Sequence, residues 1–119
     1  MQASARRKYI RSSPIKMRIV ANVVRGKRVQ DALRTLHFMP QKAARSIEFT
    51  IQSAVANLFD QNKDQRVDET ALVVSEIQVN EAPYFKRFRP VSRGRAHPIL
   101  KRSSHLIVTV GTGETEATA

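Results

Sequence analysis

The stretch ALVVSEIQVNEAPYFKRFRPVSRGRAHPILKRSSHLIVTV, residues 71–110, decides how the rest of the chain has to be read. Its two ends are rich in β-branched residues and alternate. Val73, Ile77 and Val79 fall on one face of the first segment, 71–79, and Leu106, Val108 and Val110 on one face of the second, 104–110. That is the pattern of strands with one buried face. Residues 80–103 separate them, whereas most hairpin loops have about two to five residues. This connection contains Pro83, Pro90 and Pro98 and few side chains suited to a core. If the strands continue outward as a two-stranded ribbon, Tyr84, Phe85 and Phe88 come opposite Ile99 and Leu100. Ten or eleven residues per arm at about 3.3 Å each then reach roughly 30–35 Å beyond the body. An isolated ribbon is marginal in water, so this one is expected to gain full order only inside an anionic surrounding.

The segments upstream read as helices. Ser13-Pro14 is a helix start, serine as cap and proline at the first helical position. Ile15, Ile19, Val20, Val23 and Val24 follow at helical spacing, and Gly26 is placed to stop the helix. Val29, Ala32, Leu33 and Leu36 predict a second short helix with Asp31 in its first turn, where an acid suits the helix dipole. It must end near Phe38-Met39, because Pro40 disfavours helix in the residue before it. A third and longest helix is predicted over 40–62, with Ala44, Ile47, Ile51, Ala54, Val55 and Leu58 as its buried stripe. Residues 5–12 suggest a short edge strand with Tyr9 and Ile10 on opposite faces. Residues 60–69 read as a polar loop, and 111–119 as a disordered tail. The order predicts an α+β domain over 1–110, three helices on a small antiparallel sheet, with a hairpin protruding over about 80–103.

Charge singles out two arms. The chain of 119 residues has 21 Lys and Arg against 10 Asp and Glu, a net +11. Residues 1–28 carry Arg6, Arg7, Lys8, Arg11, Lys16, Arg18, Arg25, Lys27 and Arg28 and no acid. Residues 84–102 carry Lys86, Arg87, Arg89, Arg93, Arg95, Lys101 and Arg102, again without an acid, together with His97. A merely solubilising surface intersperses both signs. Two segregated cationic arms point instead to a polyanion, with arginine and lysine contacting phosphate. Phe85 and Phe88 among these cations have two readings. They stack on unpaired bases, or they pin the two arms of the ribbon together.

Other chemistry finds little support. The absence of cysteine excludes disulfides, thiolate zinc sites and iron–sulfur clusters. His37, His97 and His105 are far apart and lack metal-ligand spacing. His37 is expected to be a partly buried structural residue, and His105 to hydrogen-bond backbone or RNA. Asp64, Asp68 and Glu69 read as solvent-exposed charge rather than a catalytic pair. Gly94 stands outside any phosphate-binding glycine motif. Apolar runs are too short to span a membrane, and the amino terminus lacks the apolar segment of a secretory signal. A general nucleoid-type nucleic-acid binder is the alternative, but it calls for a recognition helix or a dimer-forming surface, and neither is evident.

Three motifs carry a resemblance. SPIKMRIVANVVRGK at 13–27, SAVANL at 53–58 and KRFRPVSRGRAHPILKRSSHLIV at 86–108 resemble the universal large-subunit ribosomal protein L twenty-two family in its bacterial form, over residues 8–110. Ile15, Asn80 with Ala82, and Phe85 depart from its usual residues. The resemblance implies a structural, non-enzymatic protein of the bacterial cytoplasm, without metal, cofactor, membrane contact or homo-oligomer. Its partners would be large-subunit rRNA, neighbouring large-subunit ribosomal proteins and the nascent peptide. The cationic side chains named above, and His97, would bind rRNA. The tip at Arg89, Pro90, Val91, Ser92, Arg93 and Gly94 would face the exit tunnel, near where macrolides bind.

Overall fold

The computed structural model describes residues 2–63 and 69–112. Along the chain lie β1 (Gln2–Ile10), α1 (Pro14–Val24), α2 (Val29–Phe38), α3 (Lys42–Gln61), β2 (Leu72–Pro90) and β3 (Ala96–Thr112), with single 3-10 turns at Glu69–Ala71 and Ser92–Gly94. The strands form one antiparallel sheet in the order β1-β3-β2. The helices pack on the sheet face that carries Ala3, Ala5, Leu106, Val108 and Val110. This is the expected α+β arrangement, and β2 with β3 makes the expected long hairpin. The described residues span 67 × 25 × 24 Å with a radius of gyration of 17.6 Å. A compact chain of this length has about 13–14 Å, and the excess is the hairpin.

Local chemistry explains most boundaries. The Lys16 amide donates to Ser13 Oγ (3.3 Å), the cap expected of that serine. Gly26 has φ +80°, the left-handed geometry that ends α1 without a Cβ penalty. α3 begins at Lys42 with Gln41 at its cap, so Pro40 precedes the helix instead of opening it. Asp60 and Gln61 belong to α3 rather than to a loop, and the exposed-charge reading of Asp64 and Asp68 lies outside the described residues. Gly111 and Thr112 are paired in β3, against Gln2 and Leu72, rather than opening a free tail. Residues 113–119 of that expected tail lie outside the described residues.

Two core assignments need correction. On α1 the buried side chains are Pro14, Met17, Val20, Ala21 and Val24, while Ile15, Ile19 and Val23 are exposed. Val20 and Val24 of the expected stripe do lie in the core, with Met17 and Ala21 beside them. In β2, Leu72 and Val74 join Ile77 and Val79 in the core cluster, and Val73, though buried, lies outside it. A bulge between Val74 and Glu76 inserts one residue and shifts the alternation. Val73 instead pairs with Arg28, and backbone bonds from Gly26 to the Val74 carbonyl and from Val74 to the Lys27 carbonyl tie the α1–α2 connection to this edge.

Candidate nucleic-acid interface

The hairpin leaves the body at one irregularity. Ala82 and Ser103 form its last buried pair, and a second bulge follows between Ala82 and Phe85. Pro83, lacking an amide hydrogen, sits in that break, one of the places where a sheet tolerates proline. Beyond it the strands stay in register from Phe85–Lys101 to Pro90–Ala96. Paired residues share a face and neighbours alternate. Phe85, Lys101, Arg87, Ile99, Arg89 and His97 therefore lie on one face, and Lys86, Leu100, Phe88, Pro98, Pro90 and Ala96 on the other.

That geometry separates Phe85 from Phe88. Phe85 lies beneath two guanidiniums, Arg11 at 5.4 Å and Arg87 at 5.7 Å from its ring centre, a distance at which cation–π attraction operates. Phe88 is 70% exposed opposite Pro98, so it has a free face for a base. The tip closes with the Val91 amide donating to the Arg95 carbonyl (2.8 Å). Arg93 (φ +64°) and Gly94 (φ +69°) both take left-handed backbone to reverse the chain. For Arg93 that is a strained choice, which turns its side chain out of the ladder's alternation.

The remaining cations divide into two groups. Arg6, Arg7 and Lys8 are exposed on the edge strand β1. Lys16 projects from the first turn of α1, and Lys27 and Arg28 from the connection to α2. Arg18 and Arg25 do more than present charge. Arg18 Nη2 donates to the Val79 carbonyl at 3.0 Å, and Arg25 Nη2 to the Ile77 carbonyl at 2.8 Å. They occupy outward carbonyls on the free edge of β2, a task the sequence did not reveal. Among the described residues, none of the arm cations is in an ion pair; the ion-paired cations are Arg34, Arg45 and Lys63 of the body.

The arms are far apart in sequence yet meet at the root of the hairpin. There Arg11, Lys16, Lys101 and Arg102 line an open groove of about 750 Å³. A fifth cation, Lys42 of α3, joins them from the near-neutral middle of the chain. One signal did mark it: the first turn of α3 has no acid, where acids are favoured. The histidines take ordinary roles. His105 Nδ1 accepts the Tyr9 amide at 3.1 Å, and its ring meets Tyr9 edge to face. His37 is exposed rather than partly buried, 3.9 Å from Glu48, because it lies in the last turn of α2 facing outward. Among the described residues no group of acids and histidines is arranged to hold a metal, and no helix is long and apolar enough to cross a membrane.

Comparisons with known proteins bear on the chain that carries this hairpin and three-helix body. The family model described as ribosomal protein L22p/L17e matches residues 5–111. The chain belongs to this family. The large ribosomal subunit protein uL22 of Salinibacter ruber is 52% identical over 96% of this chain and 93% of its own length. That of Chlorobaculum tepidum is 44% identical over 99% of both, and that of Roseiflexus castenholzii 51% identical over 96% of this chain and 98% of its own. The family match takes in residues 80–103 of the hairpin and all 16 arm cations.

Proposed function

We propose that this chain is a structural constituent of the bacterial large ribosomal subunit, working in the cytoplasm as an rRNA-binding protein rather than as an enzyme. The observation that carries the reading is the hairpin itself, paired but coreless, whose seven Lys and Arg have no acid partner among the described residues. Such an element gains order where phosphate surrounds it. Relatives named as large-subunit proteins in three bacteria support the setting.

In this reading the body docks on rRNA through Arg6, Arg7, Lys8, Arg11, Lys16, Lys27 and Arg28, with Arg18 and Arg25 sharing their charge between phosphate and the β2 edge. Lys86, Arg87, Arg95, Lys101 and Arg102 neutralise phosphates along the hairpin, and His97 hydrogen-bonds the RNA beside them. These contacts position the protein without reading base sequence. Arg89 to Gly94 form the tip, where the half-buried Val91 and the small Ser92 offer nascent peptides an uncharged wall. Neighbouring large-subunit proteins and the passing peptide are its other partners, and the chain acts as a single copy.

Sucrose-gradient sedimentation of lysate tests the first part: the chain is expected in the large-subunit peak, and its absence there would overturn the reading. A strain carrying only a form lacking residues 88–95 tests the second. The shortened protein is expected to remain in large subunits while macrolide sensitivity and programmed stalling change. Loss from the subunit would make the tip an anchor, and unchanged responses would remove it from the tunnel wall.

A further inference from the structure

The groove at the hairpin root has two properties that a site for duplex backbone does not need. Its cations arrive from four places in the chain: Arg11 before α1, Lys16 on α1, Lys42 on α3, and Lys101 and Arg102 on β3. No carboxylate lines it. Between those cations it also shows apolar surface, Ile19 at 58% exposure and Leu100 at 40%. A paired RNA helix offers such a groove phosphates, ribose hydroxyls and polar base edges but no open base face, because the faces are stacked inside. Ile19 and Leu100 would then stay wet beside the phosphate. An unpaired nucleotide offers both chemistries at once, an apolar base face and flanking phosphates.

We propose that this groove takes an unpaired stretch of rRNA, with a splayed-out base lying on Ile19 and Leu100 and its neighbouring phosphates held by the five surrounding cations. The inference rests on the rRNA-binding reading and narrows it to single-stranded RNA at this place. An acidic protein segment is the competing occupant. RNA is favoured because the segments that line the groove stay cationic along the chain beyond it, with Arg6, Arg7 and Lys8 before Arg11 and the hairpin cations before Lys101, as a long polyanion requires. The sequence hides the site, since its lining comes from segments as far apart as Arg11 and Arg102, and because Ile19 on a helical stripe reads as core.

The chain has no cysteine, so Ile19→Cys and Leu100→Cys each create a single attachment point at an exposed position. Each full-length variant is labelled with a short aryl-azide reagent, assembled into large subunits and irradiated, and crosslinked nucleotides are mapped by reverse-transcription stops. Both positions are expected to mark the same rRNA stretch. Its nucleotides are expected to react with a 2′-hydroxyl acylating reagent in subunits lacking the protein and to be shielded in its presence. The Ile19→Ser, Leu100→Ser double variant is expected to lose that shielding while still sedimenting with the subunit. Crosslinks to paired, unreactive nucleotides, to a protein, to two unrelated stretches, or to nothing would overturn the proposal and leave the ribosomal reading intact. Failure of the unlabelled parent chain to sediment with large subunits would remove the ribosomal reading, and this inference with it.

Discussion

Between Leu72 and Ala82 strand β2 buries six of its eleven residues, and between Pro83 and Pro90 it buries none. The hydrogen-bonded pairing with β3 continues through both halves, interrupted only by bulges. The inner half is held by what covers it: Leu106, Val108 and Val110 are fully buried beneath the helices. The outer half has only its ladder, a few ring contacts and a load of like charge. Backbone pairing is therefore enough to define the hairpin's register but contributes little net stability without burial. On the proposed reading the difference locates function: the half that cannot stabilise itself is the half that rRNA completes.

The sharpest way to break this comparison is salt. If about half of the 16 arm cations release counterions on binding rRNA, the log–log slope is about −5 to −7, an affinity loss of roughly 10³–10⁴ between 50 and 200 mM salt. Titration across that range checks it. A slope shallower than about −2 would mean that the arms are not the main contact.

A pair of leucines on one strand face gives the next effect. Leu106→Ala, in the buried half, is expected to cost about 2–5 kcal/mol in urea unfolding. Leu100→Ala, in the exposed half, is expected to stay within about 0.5 kcal/mol. Similar costs at both positions would erase the distinction between the halves. Arg25→Ala is a smaller perturbation that touches both regions. Losing its bond to the Ile77 carbonyl is expected to destabilise the free chain by about 1 kcal/mol. RNA binding should weaken with no change in which RNA is preferred, read from the same unfolding experiment and a competition assay.

The hairpin was legible in sequence because two independent signals coincide there: alternation at both ends of 71–110, and seven cations without an acid between them. The α1 core face was not. Periodicity picked Val20 and Val24 correctly but joined them to the bulky Ile15, Ile19 and Val23 rather than to Met17 and Ala21. Packing chose the set containing Ala21, and so left Ile19 to the groove. The shifted alternation in β2 was hidden because no glycine marks the bulge at Ser75. At Pro83 the residue that breaks the ladder was visible, but not its role as the border between the halves. Of the site, the arm cations were readable from charge. Their convergence with Lys42 was not, since it depends on where α3 starts relative to the hairpin root.

Amide hydrogen exchange on the free chain and on the same chain within large subunits measures the two halves directly. Slow exchange is expected in α3 and the inner strands in both states. Residues 84–102 are expected to exchange rapidly in the free chain and to become protected in the subunit. Equal protection of the hairpin and α3 in the free chain would contradict the claim that the outer half is completed by its partner.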